Sequence, residues 1–490
     1  MKQRVSRRDF LRFGAMSAGA LPFSLAPDRE SSRAAAQAGG PAKRVIVLGA
    51  GLAGLSASYE LIRLGHQIIV LEARMRPGGR VYTLREPFSD GLHVEAGARF
   101  VPGYHDFTVK YVKEFNLRLI PVDFQSRQIV YFLNGKRIIP KPGDSIVEFT
   151  EEEKALGRRG RWEKYIGSVL GEIGDPTAPN WPAPSLQQYD QITFSDFLRS
   201  RGASPGFVTL TKLGLLQAWG DGIDSYSALS ALRESALEKV EQTSQTIDGG
   251  VDLLPKAFAA RLKDNIRYGA PVVRIEHNNR GVRVKFLAGG GVQSLEADRV
   301  ICTIPFSVLG RVEIDPPFSQ AKQRAIRELP YTSVARVYLQ FRRRFWTDAN
   351  LAGFALTDLP IMRCLNATIE QPGPRGILES YMSGPSARLV TGVAESERLK
   401  FTLEHLEKVF PGAREHIEGG ASKCWDDDEW SRGDYNWFRP GQMISLFPHI
   451  ARPEGRVHFA GDHASPWPGW MQGALQSGNR AAREVQEAAG

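Results

Sequence analysis

The segment from Lys43 to Glu72 leaves this chain few folds to adopt. Lys43-Arg44 lead into Val45-Ile46-Val47-Leu48, a continuous apolar run suited to a strand buried on both faces of a parallel sheet. Gly49-Ala50-Gly51-Leu52-Ala53-Gly54 follows at once. A helical pattern comes next, with Leu52, Leu55, Tyr59 and Ile62 predicted on its apolar face. Ile68-Ile69-Val70-Leu71 then predicts a second strand, ending at Glu72. The order is β-α-β, with G-x-G-x-x-G at its first turn. In such a unit Gly49 allows the tight turn, Gly51 lets the backbone approach a pyrophosphate, and Gly54 permits close helix–strand packing. The helix N-terminus offers N–H groups and a positive dipole end to the phosphates. Glu72 stands where an acid can bind ribose hydroxyls. A lone glycine motif is weak, but here strand, glycines, helix, strand and acid occur in sequence. They predict a dinucleotide site on an α/β sheet, without separating NAD from FAD.

The residues that follow separate them. Glu72-Ala73-Arg74-Met75-Arg76-Pro77-Gly78-Gly79-Arg80 resembles the second fingerprint of FAD-dependent amine oxidases, the family of flavin monoamine oxidases and L-amino-acid oxidases. In that family the glycines bring backbone close to the diphosphate, and the arginine reaches phosphate or flavin. Arg74, Gly79 and Arg80 are the matching positions. Near the other end, Val457 to Ala460 reads as a short strand. Gly461-Asp462 and Trp470-Met471-Gln472-Gly473-Ala474 follow it and resemble the family's C-terminal flavin motif. There the acid, Asp462, contacts the ribityl–phosphate region. Met471 matches the backbone N–H at the flavin, where a helix N-terminus stabilises the reduced anion. Tyr268 to Ile275, with Val273, resembles the strand whose backbone touches adenine, and Val300 to Pro305 the strand returning to the sheet. Ala98, Arg99 and Trp425 also match positions near the cofactor.

The resemblance covers most of residues 42–488 and implies an α/β fold. A discontinuous Rossmann-like FAD-binding domain takes 42–100, 244–312 and 424–488. An interleaved α+β substrate-binding domain takes 101–243 and 313–423. Within the latter, helices are predicted from Thr108 to Leu117, Gln217 to Val240 and Ser396 to Phe410, and a strand from Val334 to Phe341.

No G-x-S-x-G elbow and no His/Cys cluster with metal spacing is present. That would be odd for a hydrolase and is natural where a flavin performs the chemistry. His458 and His463 read as loop or sheet residues. Family members hold the substrate nitrogen between two aromatic rings, and Tyr435 and Trp470 take those positions. An apolar cage disfavours a charged ammonium, while ring faces still attract a residual cation. Four departures are informative. Asp434 stands where animal monoamine oxidases tether FAD through Cys, so non-covalent FAD is implied. Arg336 stands where most members carry a Lys, so the charge survives but no base does. Phe100 occupies the position of the carboxylate-binding Arg of venom L-amino-acid oxidases. The partner Tyr position falls near Leu365-Asn366, with Arg99 and Arg363 close by in sequence. The resemblance thus puts Tyr435, Trp470 and Arg336 at the chemistry, and Phe100, Tyr435 and Trp470 at the substrate.

Composition bears on the surroundings. Three Cys in 490 residues exclude a disulfide framework. Ser6-Arg7-Arg8-Asp9-Phe10-Leu11 and the uncharged stretch after it resemble a twin-arginine export signal, implying a periplasmic or secreted protein. No run of 18 apolar residues predicts a membrane helix or anchor. The first forty residues hold seven basic and three acidic side chains, and without them the balance falls from +9 to +5. No basic patch is interleaved with aromatics, so nucleic acid is not an expected partner. Arg342-Arg343-Arg344 and Asp426 to Glu429 read as solvated faces. The leading reading is an exported amine oxidase: hydride passes to flavin N5, the imine hydrolyses, and oxygen becomes hydrogen peroxide. The alternatives are an L-amino-acid oxidase, a dehydrogenase passing electrons to an exported acceptor protein, a flavin desaturase or porphyrinogen oxidase, and a flavin-bearing binding protein. A homodimer is left open.

Overall fold

A computed structural model describes residues 41–123, 127–141, 143–214, 219–238 and 244–488. The leader lies outside them. Arg44–Leu48 forms the centre of a five-stranded parallel sheet. Gln67–Leu71 and then Ile266–Arg267 lie to one side, Arg299–Cys302 and then Val457–Phe459 to the other. Val45, Ile46, Val47 and Leu48 are all fully buried. Both faces of the strand are covered, which is why its sequence does not alternate.

The helix Leu52–Arg63 packs on this sheet by a different face from the one the sequence predicts. Leu52 to Ser58 and Leu61 are buried, whereas Ile62 is 38% exposed. The cause is the final helix, Met471–Glu487, which crosses it at close range. A Cβ on Gly478 would lie 2.3 Å from the Ala53 carbonyl oxygen and 2.2 Å from Ser56 Oγ. Small residues, not a stripe of large ones, carry this contact.

A seven-stranded sheet faces the parallel one. Its order is Ile417–Cys424, Val334–Phe341, Gly376–Ser383, Arg363–Asn366, Leu351–Thr357, Gln128–Leu133 and Lys136–Ile138. The predicted strand Val334 to Phe341 is found in full, and the helix near it runs Glu395–Val409. The helix predicted from Thr108 is Asp106–Glu114. The one predicted from Gln217 to Val240 is shorter: within the described residues it is confined to Ala228–Leu237. Both predicted ends lie outside the described residues. The Ser227 side chain, which accepts from Ser230 N–H, starts the helix there. A third sheet of four strands carries Val273 on Val272–His277. Among the described residues no helix is long and apolar enough to cross a membrane.

Candidate active site

A cavity of about 500 Å³ lies between the ends of the parallel strands and one face of the seven-stranded sheet. Its first half is built from the glycine loops. Gly49 has φ +106° and donates its N–H to Leu71 O at 2.8 Å. A Cβ on Gly51 would meet no protein atom within 4 Å, so the space beside it is left for a ligand. Gly54 is different: its Cβ would lie 2.0 Å from the Gly49 carbonyl oxygen, so it serves packing and not the cavity wall. Glu72 binds the two loops together. Its Oε2 accepts from Ala50 N–H at 2.6 Å and its Oε1 from Arg74 N–H at 2.8 Å. Gly79, at φ +57°, continues this wall. Neither Leu52–Arg63 nor Met471–Glu487 has a side chain capping its N-terminus. Both helix starts reach the cavity through Gly51, Leu52, Trp470 and Met471, so their free N–H groups suit anionic oxygens.

Arg80 fastens the first motif to the last. It pairs with Asp462 and donates to the Asp434 carbonyl. Burial would raise the Asp462 carboxyl, but Arg80 holds it below the usual range. Gly461, with φ +142°, precedes it. Arg74 pairs with Asp428, which Lys423 also reaches at 2.6 Å. Asp428 is therefore a half-buried ion-pair partner, and the reading of Asp426 to Glu429 as a solvated run fails there. Two other residues stand apart from the cavity wall. Val273 and Trp425 do not line the cavity. Val273 falls outside because Ala270 and Val272 take the wall at that strand. Trp425 is fully buried and donates its Nε1–H to Ala96 O at 2.8 Å. It props the loop from Ala96, whose Gly97 is pinned between Trp425 and the Arg80 carbonyl. Ala98 and Arg99 do line the cavity, but Arg99 is turned to Glu370 at 3.0 Å.

His463 lies behind this half, fully enclosed, and neither ring nitrogen finds a hydrogen bond. Burial pushes it down from its ordinary 6.5 to about 4. Above 6.5 it is neutral folded or unfolded. As pH falls from 6.5 toward 4 only the unfolded chain takes the proton, so stability is lost across that window. Glu95, pushed up to about 7 by burial, works in the opposite direction. A His463→Asn variant should therefore lose less thermal stability than the parent between pH 6.5 and 4, as measured by melting at constant ionic strength.

The second half is the reacting face. Arg336, Tyr381 and Arg363 sit side by side on three adjacent strands, each paired in register with Tyr381. The Arg336 guanidinium lies 4.7 Å and that of Arg363 4.6 Å from the Tyr381 ring centre. Tyr381 Oη is 3.0 Å from Tyr435 Oη. Tyr435, Trp470, Trp219, Phe100 and Leu365 complete the wall. Trp219 meets Tyr435 edge-on at 5.2 Å, and His105 meets Trp470 edge-on at 4.9 Å. Arg336 donates to Glu95 O at 3.0 Å and pairs with Glu379 at 3.4 Å. Burial alone would lower its pKa, but Glu379 keeps it above the ordinary range. Arg363 differs. Its Nε has no hydrogen bond, and among the described residues no carboxylate pairs with it.

The structure thus brings together Tyr435, Trp470, Arg336 and Phe100. It also corrects the search for a carboxylate clamp. Leu365 lines the cavity, but Asn366 does not, and its side chain accepts from Thr368. The tyrosine in the wall beside Arg363 is Tyr381, one strand over. Its signal was present in Gly376–Ser383, the strand paired with Val334–Phe341. Nothing local in the sequence said that these strands are neighbours.

Residues 52–486 match the family model described as flavin containing amine oxidoreductase. The chain belongs to this family. Curated relatives agree. It is 34% identical over 459 residues to YobN of Bacillus subtilis (strain 168), covering 90% of this chain and 94% of the relative, whose assignment as an L-amino-acid oxidase is provisional. It is 30% identical over 472 residues to the flavin-dependent L-tryptophan oxidase RebO of Lentzea aerocolonigenes, covering 91% of this chain and 98% of RebO. Putrescine oxidase, solved with putrescine bound, shares the fold with a TM-score of 0.78 at 24% identity, covering 90% of this chain and 98% of that one. The cyclohexylamine oxidase of Brevibacterium oxydans IH-35A does so with 0.76 at 22%, covering 91% and 99%.

The cofactor of this flavin amine oxidase is FAD. The uncapped helix starts, the clear space at Gly51 and the two stitched glycine loops fit its diphosphate. Among the described residues no cysteine or histidine lines the cavity, in keeping with non-covalent binding. Asp434 stands in the wall instead, its carboxyl pushed up to about 6 by burial. Among the described residues no group of His, Cys, Asp or Glu could hold a metal ion.

Proposed function

We propose that this enzyme oxidises L-α-amino acids. One observation carries the reading: Arg363, a cation on the cavity wall with which no carboxylate forms an ion pair among the described residues. A half-buried guanidinium without a carboxylate is costly, and a substrate carboxylate would complete it as a charge-assisted pair. The same cation repels a second ammonium, so a diamine suits this cavity poorly. Both points support the amino acid over the plain amine.

With the carboxylate on Arg363 and near the Tyr381 hydroxyl, the substrate nitrogen falls to Tyr435 and Trp470. Their rings strip water from the ammonium and favour the neutral amine, whose lone pair can assist loss of hydride from the α-carbon. Bound FAD supplies the two-electron acceptor for that hydride. Tyr381 holds the Tyr435 ring through the hydroxyl pair, and Trp219 and His105 brace the two cage rings from behind. The imino acid then hydrolyses to a keto acid and ammonia, and oxygen takes the two electrons to give hydrogen peroxide. The resemblance at residues 6–12 supports export.

The test is anaerobic. Aromatic and aliphatic L-amino acids should bleach the flavin absorbance, and the amines made by removing their carboxyl groups should bleach it at least about 100-fold more slowly. Equal rates for each pair would return the plain amine to first place. No bleaching by either would sink the oxidase reading itself. The Arg336–Glu379 pair favours a second reading, in which reduced enzyme reacts slowly with oxygen because the nearby positive charge is offset. Rapid reoxidation at air saturation would exclude it.

A further inference from the structure

Behind the cage lies a polar cluster that the reaction does not use. Tyr226, Ser230, Arg233 and Glu234 recur at each turn along one face of the Ala228–Leu237 helix and its approach. All four are buried; Arg233 is 1% exposed. Arg233 Nη2 donates to Glu234 Oε1 at 2.5 Å. Its Nε and Nη1 find no acceptor, and neither Tyr226 Oη nor Ser230 Oγ has a hydrogen-bond partner. Ser230 and Arg233 both turn donors toward the Tyr226 oxygen, but none of these approaches has the geometry of a hydrogen bond. The rings of Phe438 and Phe447 close the surroundings at 5.8 and 5.9 Å from the guanidinium carbon.

Orphaned buried donors are rare, because each costs its full desolvation. Here the surplus is one-sided. Arginine can only donate, and although each hydroxyl oxygen can also accept, the free N–H and O–H groups outnumber those acceptors. A water would accept two of these bonds but bring two more hydrogens needing acceptors. A small anion accepts several donors and brings none. We propose that Tyr226, Ser230 and Arg233 form a buried binding site for a small monovalent anion of halide type. Burial pushes the Glu234 carboxyl up to about 7, so it can take a proton and keep the cluster neutral when the anion enters. Glu238, one turn on, is the other acid that bears on Glu234. The site touches the cage from behind: Tyr226 stacks on Trp219 at 6.0 Å, and Trp219 meets Tyr435.

The experiment uses the FAD-loaded enzyme with sodium bromide as probe and sodium gluconate at equal ionic strength as control. Bromide should raise the unfolding midpoint saturably, by about 1–3 °C, and gluconate should not. Crystals grown in bromide should show an anomalous bromine peak within hydrogen-bond distance of Arg233 Nη1. Tyr226→Phe and Ser230→Ala each remove one donor and should shift the bromide titration several-fold to higher concentration. A midpoint that bromide and gluconate move alike would overturn the proposal. So would well-ordered water at the cluster in the bromide crystals, a result that needs no variant to fold.

Discussion

Replacing Arg363 by Met should lower kcat/KM for an L-α-amino acid by about 100- to 1,000-fold. Breaking a desolvated arginine–carboxylate pair by removing one partner costs about 3–4 kcal/mol, and each 1.4 kcal/mol is a factor of ten. Met keeps most of the volume of the side chain, so the Tyr381 ring loses a cation and not its packing. The decarboxylated amine should be turned over no worse by the variant than by the parent, since it never used the guanidinium. Steady-state kinetics on the pair of substrates decides it, with flavin content checked by absorbance. A fall of equal size for both would mean that Arg363 shapes the cavity and does not read the carboxylate.

The second large effect concerns the cofactor. Gly51→Val should yield a folded protein that binds FAD at least about 100-fold more weakly, because the new side chain meets only the space left for the diphosphate. Gly54→Val should behave differently. Its Cβ would enter the Gly49 carbonyl, so the strand–helix unit itself is disrupted. Circular dichroism and flavin absorbance separate the outcomes: native spectrum without flavin for the first, lost stability for the second. A Gly51→Val enzyme that keeps its yellow colour through gel filtration would contradict the cradle.

The dinucleotide half of the site was legible from residue order because its parts are local. Gly49, Gly51, Gly54 and Glu72 lie within one β-α-β unit, and a turn of that type admits few residues. The reacting half was not. Arg336, Tyr381 and Arg363 are neighbours only because Gly376–Ser383 pairs with Val334–Phe341 on one side and Arg363–Asn366 on the other. Strand pairing across a sheet is set by the whole fold, and alternation within a strand cannot reveal it. Resemblance led to Leu365-Asn366, close to Arg363 in sequence but one strand from Tyr381. Trp425 shows a related limit: it stands near the cofactor loop, as the resemblance implies, but holds that loop from the far side. The length of the helix expected from Gln217 failed because an apolar pattern does not mark a start, whereas the Ser227 cap does.

The clasp of Arg80 on Asp462 joins residues 382 positions apart. The strand Val457–Phe459 and the helix Met471–Glu487 complete the same cradle. A ribosome adding about 5–20 residues per second needs about 20–80 s to travel from one arm of that clasp to the other. Through that interval the glycine loops exist without their counterpart, and FAD has only half a berth. Cofactor loading therefore belongs to the end of biogenesis, and any truncation upstream of the last thirty residues should release a chain unable to turn yellow.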